Sequence, residues 1–207
     1  MTENYDNLND LQIDVLKEIG NIGAGNATTT LSMMLSKKVA MSVPQVKIIG
    51  IQEIANILGG PENQVVGILF TLSKDIEGMM MFILKQEFAH LAVNQLMGRE
   101  LESFSDFEEM DLSALKEIGN IMAGSYVNAI SSLTNFEIGI SVPGIAIDMA
   151  GAILSVPAIQ FGKIGEKVLF IEEEFIGGDG ENVNSYLILI PEIDSLHKIL
   201  KILGVEL

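Results

Sequence analysis

The feature that most constrains the fold of this chain is that it repeats itself. Leu16-Lys17-Glu18-Ile19-Gly20-Asn21-Ile22 returns unchanged as Leu115-Lys116-Glu117-Ile118-Gly119-Asn120-Ile121. Ala24-Gly25 returns as Ala123-Gly124, and Ser42-Val43-Pro44 as Ser141-Val142-Pro143. All three blocks are displaced by the same 99 residues, a register that chance does not hold across separated segments. A unit of this length is a duplicated subdomain, unlike the roughly 20–50-residue units of solenoids. The 207 residues therefore read as one domain made of two homologous halves, about 1–103 and 104–207.

Each half is expected to open with a long helix, near 10–36 and 106–134. Asn9-x-x-Gln12 and Ser105-x-x-Glu108 have the form of capping boxes. Leu11, Val15, Ile19 and Ile22 then follow at helical spacing, as do Met110, Ala114, Ile118 and Ile121. Glycines 20, 23 and 25 cost about 1 kcal/mol each against alanine in a helix interior. Placed on one side, they let another backbone approach closely. Beyond each helix the pattern turns strand-like. Gln45–Ile51, Val65–Leu72 and Glu77–Lys85 are the candidates in the first half, and Phe136–Ile147, Lys167–Glu173 and Val183–Ile190 in the second. Turns fall at Gly59-Gly60-Pro61, near Ser73-Lys74-Asp75 and at Gly177-Gly178-Asp179-Gly180. Closing helices are expected at Gln86–Met97 and Pro191–Leu203, with Pro191 as a first helical residue. The expected class is α+β: a two-layer, pseudo-two-fold duplicated domain with a six-stranded, mainly antiparallel sheet and two long helices.

Composition narrows the function. With 48% apolar and 19% charged residues, the chain has ample material for a core and is not a disordered linker. Twenty-eight acidic against 12 basic residues give a formal net charge of -16. Such a surface repels phosphate backbones and anionic headgroups, which argues against nucleic acid or a membrane as partner. No apolar run approaches the roughly 20 residues needed to span a bilayer, and the N-terminus lacks the basic region of a secretory signal. A cytoplasmic protein is expected. There is no cysteine, hence no disulfide, thiolate nucleophile or zinc ribbon, and only His90 and His197 are present. Both are expected to be structural.

Within the repeated block, Glu18 and Asn21 are three residues apart, as are Glu117 and Asn120. On a helix such residues differ by about 60° around the axis and share one face. Asp14 and Ser113 stand one turn earlier on that face. A carboxylate can meet a cation, and a carboxamide can both donate to and accept from a water. A Glu and an Asn at this spacing are ordinarily a solvated helix face. Retention in both halves, while Gly23 has become Met122 and Asn26 has become Ser125, indicates that the pair is used. The glycines Gly20-x-x-Gly23-x-Gly25 lack the spacing and the Lys-Ser/Thr of a P-loop. Met79-Met80-Met81 reads as core packing on a strand. Glu172-Glu173-Glu174 reads as a solvated strand end.

Asp14, Glu18, Asn21 and Pro44, and again Ser113, Glu117, Asn120 and Pro143, fit one spaced pattern. It is Asp or Ser, three residues, Glu, two residues, Asn, twenty-two residues, Pro. This pattern resembles the signature of the CheC-type chemotaxis phosphatases, a family that includes CheX and the flagellar-switch phosphatase FliY. The two-site arrangement is most like the CheC branch. The resemblance implies hydrolysis of the aspartyl phosphate on the response regulator CheY. Asn21 and Asn120 would position the attacking water, and Glu18 and Glu117 would reach the regulator's active-site lysine. Asp14 and Ser113 would be supporting groups, and Pro44 and Pro143 would fix a turn at the start of a strand. The protein would need no cofactor of its own, because the regulator brings Mg2+. The resemblance also implies a second partner, the receptor deamidase CheD. The competing expectation is a non-catalytic regulator-binding adaptor, similar to the scaffold domains of the flagellar switch.

Overall fold

The computed structural model describes residues 8–34, 40–41, 44–98, 101–161, 167–176 and 182–205. The glycine turn at 177–180, Ser42-Val43 and the expected end of the first helix at 35–36 lie outside these residues. The first half runs α1 (Asp10–Met34), β1 (Ala40–Met41), β2 (Gln45–Gly50), α2 (Ile51–Ile57), β3 (Gln64–Lys74), β4 (Gly78–Lys85) and α3 (Gln86–Met97). The second repeats that order as α4 (Glu109–Thr134), β5 (Ile138–Ile140), β6 (Gly144–Met149), α5 (Ala150–Phe161), β7 (Lys167–Ile176), β8 (Asn182–Pro191) and α6 (Ile193–Ile202).

All strand pairings among the described residues are antiparallel. The order is β1-β7-β8-β4-β3-β5, with β2 continuing the β1 edge along β7 and β6 continuing the β5 edge along β3. The strands thus occupy six positions across the sheet, and each edge position is filled by two short segments. The first half's edge strands pair with β7 of the second half, and the second half's with β3 of the first. At the centre β4 lies beside β8, with Phe82 opposite Leu187. The expected strand Phe136–Ile147 is broken because Ser141-Val142-Pro143 leaves the ladder, proline having no N–H to give it. Ser141 bridges the break. Its N–H donates to Thr71 O, and its Oγ accepts from Thr71 N, both at 3.0 Å.

Alternation along β3 separates the two faces of the sheet. Ile68 and Phe70 meet Gly119 of α4, whereas Gly67 meets Ile153 of α5. The long helices therefore cover one face, and α5, with α2 packed on it, partly covers the other. These two shorter helices were not expected. Ile51 reads as the end of a strand, and Ala150–Phe161 is apolar on all sides, so it has no helical stripe to detect. Met79, Met80 and Met81 are all buried, as their strand position requires. Burying one such side chain, or Phe82 beside them, is worth about 1.5–3 kcal/mol.

Three further expectations shift. The Asn9–Gln12 capping box forms, with Gln12 N donating to Asn9 Oδ1 at 3.0 Å and Asn9 N to Gln12 Oε1 at 2.8 Å. Ser105 and Glu108 do not make one. Ser103 and Asp106 instead close a 3-10 turn over Phe104–Asp106, and α4 begins three residues later than expected, on a box of Glu108 and Asp111. That turn seats Phe104 and Phe107 edge-on against His90, whose role is structural packing. Pro191 ends β8 opposite Gly78 and does not start a helix. A Cβ on Gly78 would lie 2.4 Å from Ile190 O, so only glycine permits that approach.

Candidate functional site

The two long helices are oriented by small residues on their inner sides. A Cβ on Gly20 would come within 3.0 Å of Val46, and one on Gly119 within 2.8 Å of Ile68. Each glycine lets its helix settle onto the sheet. Leu16, Ile19, Ala24, Ala27 and Leu31 of α1 are buried on that side, with Leu115, Ile118, Met122, Ala123 and Ile130 of α4. At about 100° per residue, Asp14, Glu18 and Asn21 fall within about 60° of one another on the opposite side. All three are exposed. On α4, Ser113 and Glu117 are exposed and Asn120 is half-buried.

The two faces are alike in register and differ in detail. On α1, Asp14 holds Lys17 at 2.9 Å. On α4, Ser113 Oγ donates to Glu109 O at 2.9 Å. Asn120 Nδ2 donates to Glu117 Oε2 at 3.4 Å, a long bond that aligns carboxamide and carboxylate side by side. Pro44 and Pro143 stand immediately before β2 and β6. Among the described residues, no three His, Asp or Glu side chains gather as metal ligands would. Among them too, no helix is long and apolar enough to cross a membrane. The arrangement suits electrostatic recognition and positioning of a water, with reactive groups supplied by a second molecule.

Two features beside these faces differ from expectation. Leu11 and Met110 were placed with the apolar stripe, yet they are 61% and 62% exposed. The buried inner position at this turn goes to Gln12 and Asp111, the N3 residues of the capping boxes. The three glycines of α1 also do not share one side. Gly20 faces the sheet and Gly23 faces the ring of Tyr126, where a Cβ would lie 2.5 Å away, while Gly25 faces open space.

Behind α4 lies a polar cluster that the acidic run conceals. Glu173 is fully buried, and its carboxylate accepts from the Tyr126 hydroxyl and, at 2.8 Å, from Ser185 Oγ. Burial pushes its pKa from an ordinary 4.5 up to about 7, against the lowering effect of the two hydroxyls. Tyr126 is raised by the same burial and further by the carboxylate beside it. The run is therefore not uniformly solvated. Strand alternation sends Glu172 to the other side, where it pairs with Lys47 at 3.3 Å.

A duplicated α+β sheet protein with a Glu/Asn pair on each of two exposed helix faces is a recognisable class. The profile of the CheC-like family matches residues 11–48 and 110–147, which hold both faces and the strands behind them. The CheY-P phosphatase CheC of Bacillus subtilis is 31% identical over 206 residues, covering 98% of this chain and 99% of that protein. The crystal structure of Thermotoga maritima FliY superimposes with a TM-score of 0.74 at 26% identity, covering 95% of this chain and 97% of that one. CheX in the CheX-CheY-BeF3-Mg+2 complex from Borrelia burgdorferi shares the fold, with a TM-score of 0.54 at 21% identity over 86% of this chain and 98% of that one. This chain belongs to the CheC-like family.

Proposed function

We propose that this protein is a phosphatase that hydrolyses the aspartyl phosphate of the chemotaxis response regulator CheY. The observation that carries the reading is the Glu/Asn pair, present twice in one register on exposed helix faces. It occurs in a chain that matches a CheY-P phosphatase over 98% of its length. Asn21 and Asn120 orient a water in line with phosphorus. The water oxygen bonds to phosphorus as the bond to the aspartate oxygen breaks, releasing phosphate and the free carboxylate. Glu18 and Glu117 bind the lysine beside that aspartate and hold the regulator in place. Little covalent chemistry is asked of the enzyme, because phosphoryl transfer is accelerated mainly by positioning and charge stabilisation. The protein uses no cofactor of its own, and Mg2+ arrives bound to the regulator. Asp14 and Ser113 support the pairs, and Pro44 and Pro143 set the turn ahead of β2 and β6.

Such a protein works in the cytoplasm, where its substrate is. We propose the receptor deamidase CheD as its second partner. Co-purification or calorimetry with the cognate deamidase tests this, and failure to form a complex would overturn it. Phosphate release from phosphorylated CheY tests the enzymatic reading. An adaptor of the flagellar-switch kind would bind the regulator without accelerating release.

A further inference from the structure

The glycines of the two long helices fall into two groups. Gly20, Gly119 and Gly23 are explained by what lies against them: Val46, Ile68 and the Tyr126 ring. Gly25 and Gly124 are not, since a Cβ at either would meet nothing within 4 Å beyond its own helix backbone. Both sit inside helices, where glycine is the least favourable residue after proline. Each stands one turn beyond its asparagine, and both are retained at the 99-residue offset. At the other end of each face, one turn before Asp14 and Ser113, stand Leu11 and Met110. A single exposed apolar residue is ordinary. Two large ones at the same register of a duplication, 61% and 62% exposed, are a second signal independent of the glycines.

Together the positions 11, 14, 18, 21 and 25 are spaced three and four residues apart, as are 110, 113, 117, 120 and 124. This is the spacing of a seam that packs along a partner, here turned to solvent. We infer that Leu11 and Gly25 on α1, and Met110 and Gly124 on α4, are docking residues for the receiver domain of the phosphorylated regulator. The inference rests on the phosphatase reading and extends that site one turn in each direction. The apolar side chain anchors the partner ahead of the Glu/Asn pair. The glycine leaves a flat floor behind it, so the partner's backbone can come close enough for Asn to reach the phosphoryl group. Continuity with the pairs identifies the occupant. So does charge, because the seam's carboxylates Glu18 and Glu117 suit a surface that presents a lysine.

The test uses the full chain and phosphorylated CheY. Three double variants are compared with wild type: Leu11→Ser with Met110→Ser, Gly25→Leu with Gly124→Leu, and Gly25→Ala with Gly124→Ala. The first two should raise KM about tenfold or more while kcat at saturation is retained, a split that marks lost binding. The alanine pair should melt at or above the wild-type temperature and still raise KM. Wild-type KM in both the serine and the leucine pairs overturns the inference. Asn21→Ala with Asn120→Ala, run in parallel, separates the two claims. Loss of turnover there with unchanged KM in the docking variants removes the docking residues and leaves the phosphatase reading intact. If wild type releases no phosphate, that reading fails, and calorimetric titration with phosphorylated CheY decides the docking surface alone. Tenfold weaker binding by the variants supports it, and equal binding overturns it.

Discussion

Replacing Glu173 with glutamine removes one buried charge while leaving the space it occupies unchanged. The glutamine oxygen can still accept from the Tyr126 hydroxyl, and its amide can donate to Ser185 Oγ once that hydroxyl turns. The folded protein holds the Glu173 proton up to about pH 7, whereas the unfolded chain releases it at the ordinary 4.5. Between these values the folded state binds more protons, so stability falls as pH rises. The contribution is fully present below 4.5 and fully lost above about 7. A separation of this size corresponds to about 3 kcal/mol, most of it between pH 5 and 8. Urea unfolding at pH 5, 6, 7 and 8 should show Glu173→Gln near wild type at the acid end and more stable by about 3 kcal/mol at pH 8. A wild-type-to-variant difference that stays constant from pH 5 to 8 would mean that the carboxyl does not titrate in the window its burial imposes.

Other outcomes follow from the same geometry. Asn21→Ala with Asn120→Ala should lower phosphate release about 100-fold, as expected when the group that places a reacting water is removed, and each single variant should divide the loss between the halves. Glu18→Gln with Glu117→Gln should raise KM for phosphorylated CheY and flatten its dependence on salt, read from initial rates at two ionic strengths. Gly23→Ala should destabilise by about 1–3 kcal/mol in urea unfolding, because the Tyr126 ring it would strike is tethered to Glu173. Asn9→Ala should cost about 1 kcal/mol by the same measurement, through loss of the α1 cap.

What could be read from residues alone was whatever the duplication states twice. Both long helices, the outward Glu/Asn faces and the antiparallel class are repeated in the chain and recur in the structure. Physical signals that cancel were not legible. The α5 segment is apolar on every side, so its sequence carries no periodicity although Ala150, Ile153 and Leu154 are buried and Ile159 is exposed, and Pro157 within it reads as a breaker. Ser103 competes with Ser105 as a cap, and only the packing of Phe104 and Phe107 on His90 decides between them. Glu173 was hidden by its neighbours, because three adjacent carboxylates suggest solvent. Alternation along β7 separates the middle one from its two neighbours and sets it on the face of Leu169 and Ile171. Leu11 and Met110 mislead for a related reason: an apolar residue near helical spacing reads as core, while the inner position belongs to Gln12 and Asp111.

On the proposed function, the two retained Glu/Asn faces act on the aspartyl phosphate of CheY. The most direct measurement follows the decay of phosphorylated CheY with Mg2+, alone and with a catalytic amount of this protein. Faster decay with many turnovers per molecule is expected, its acceleration lowered about 100-fold when Asn21 and Asn120 are both alanine. Decay at the rate of CheY alone, or acceleration undiminished by loss of both asparagines, would overturn the assignment.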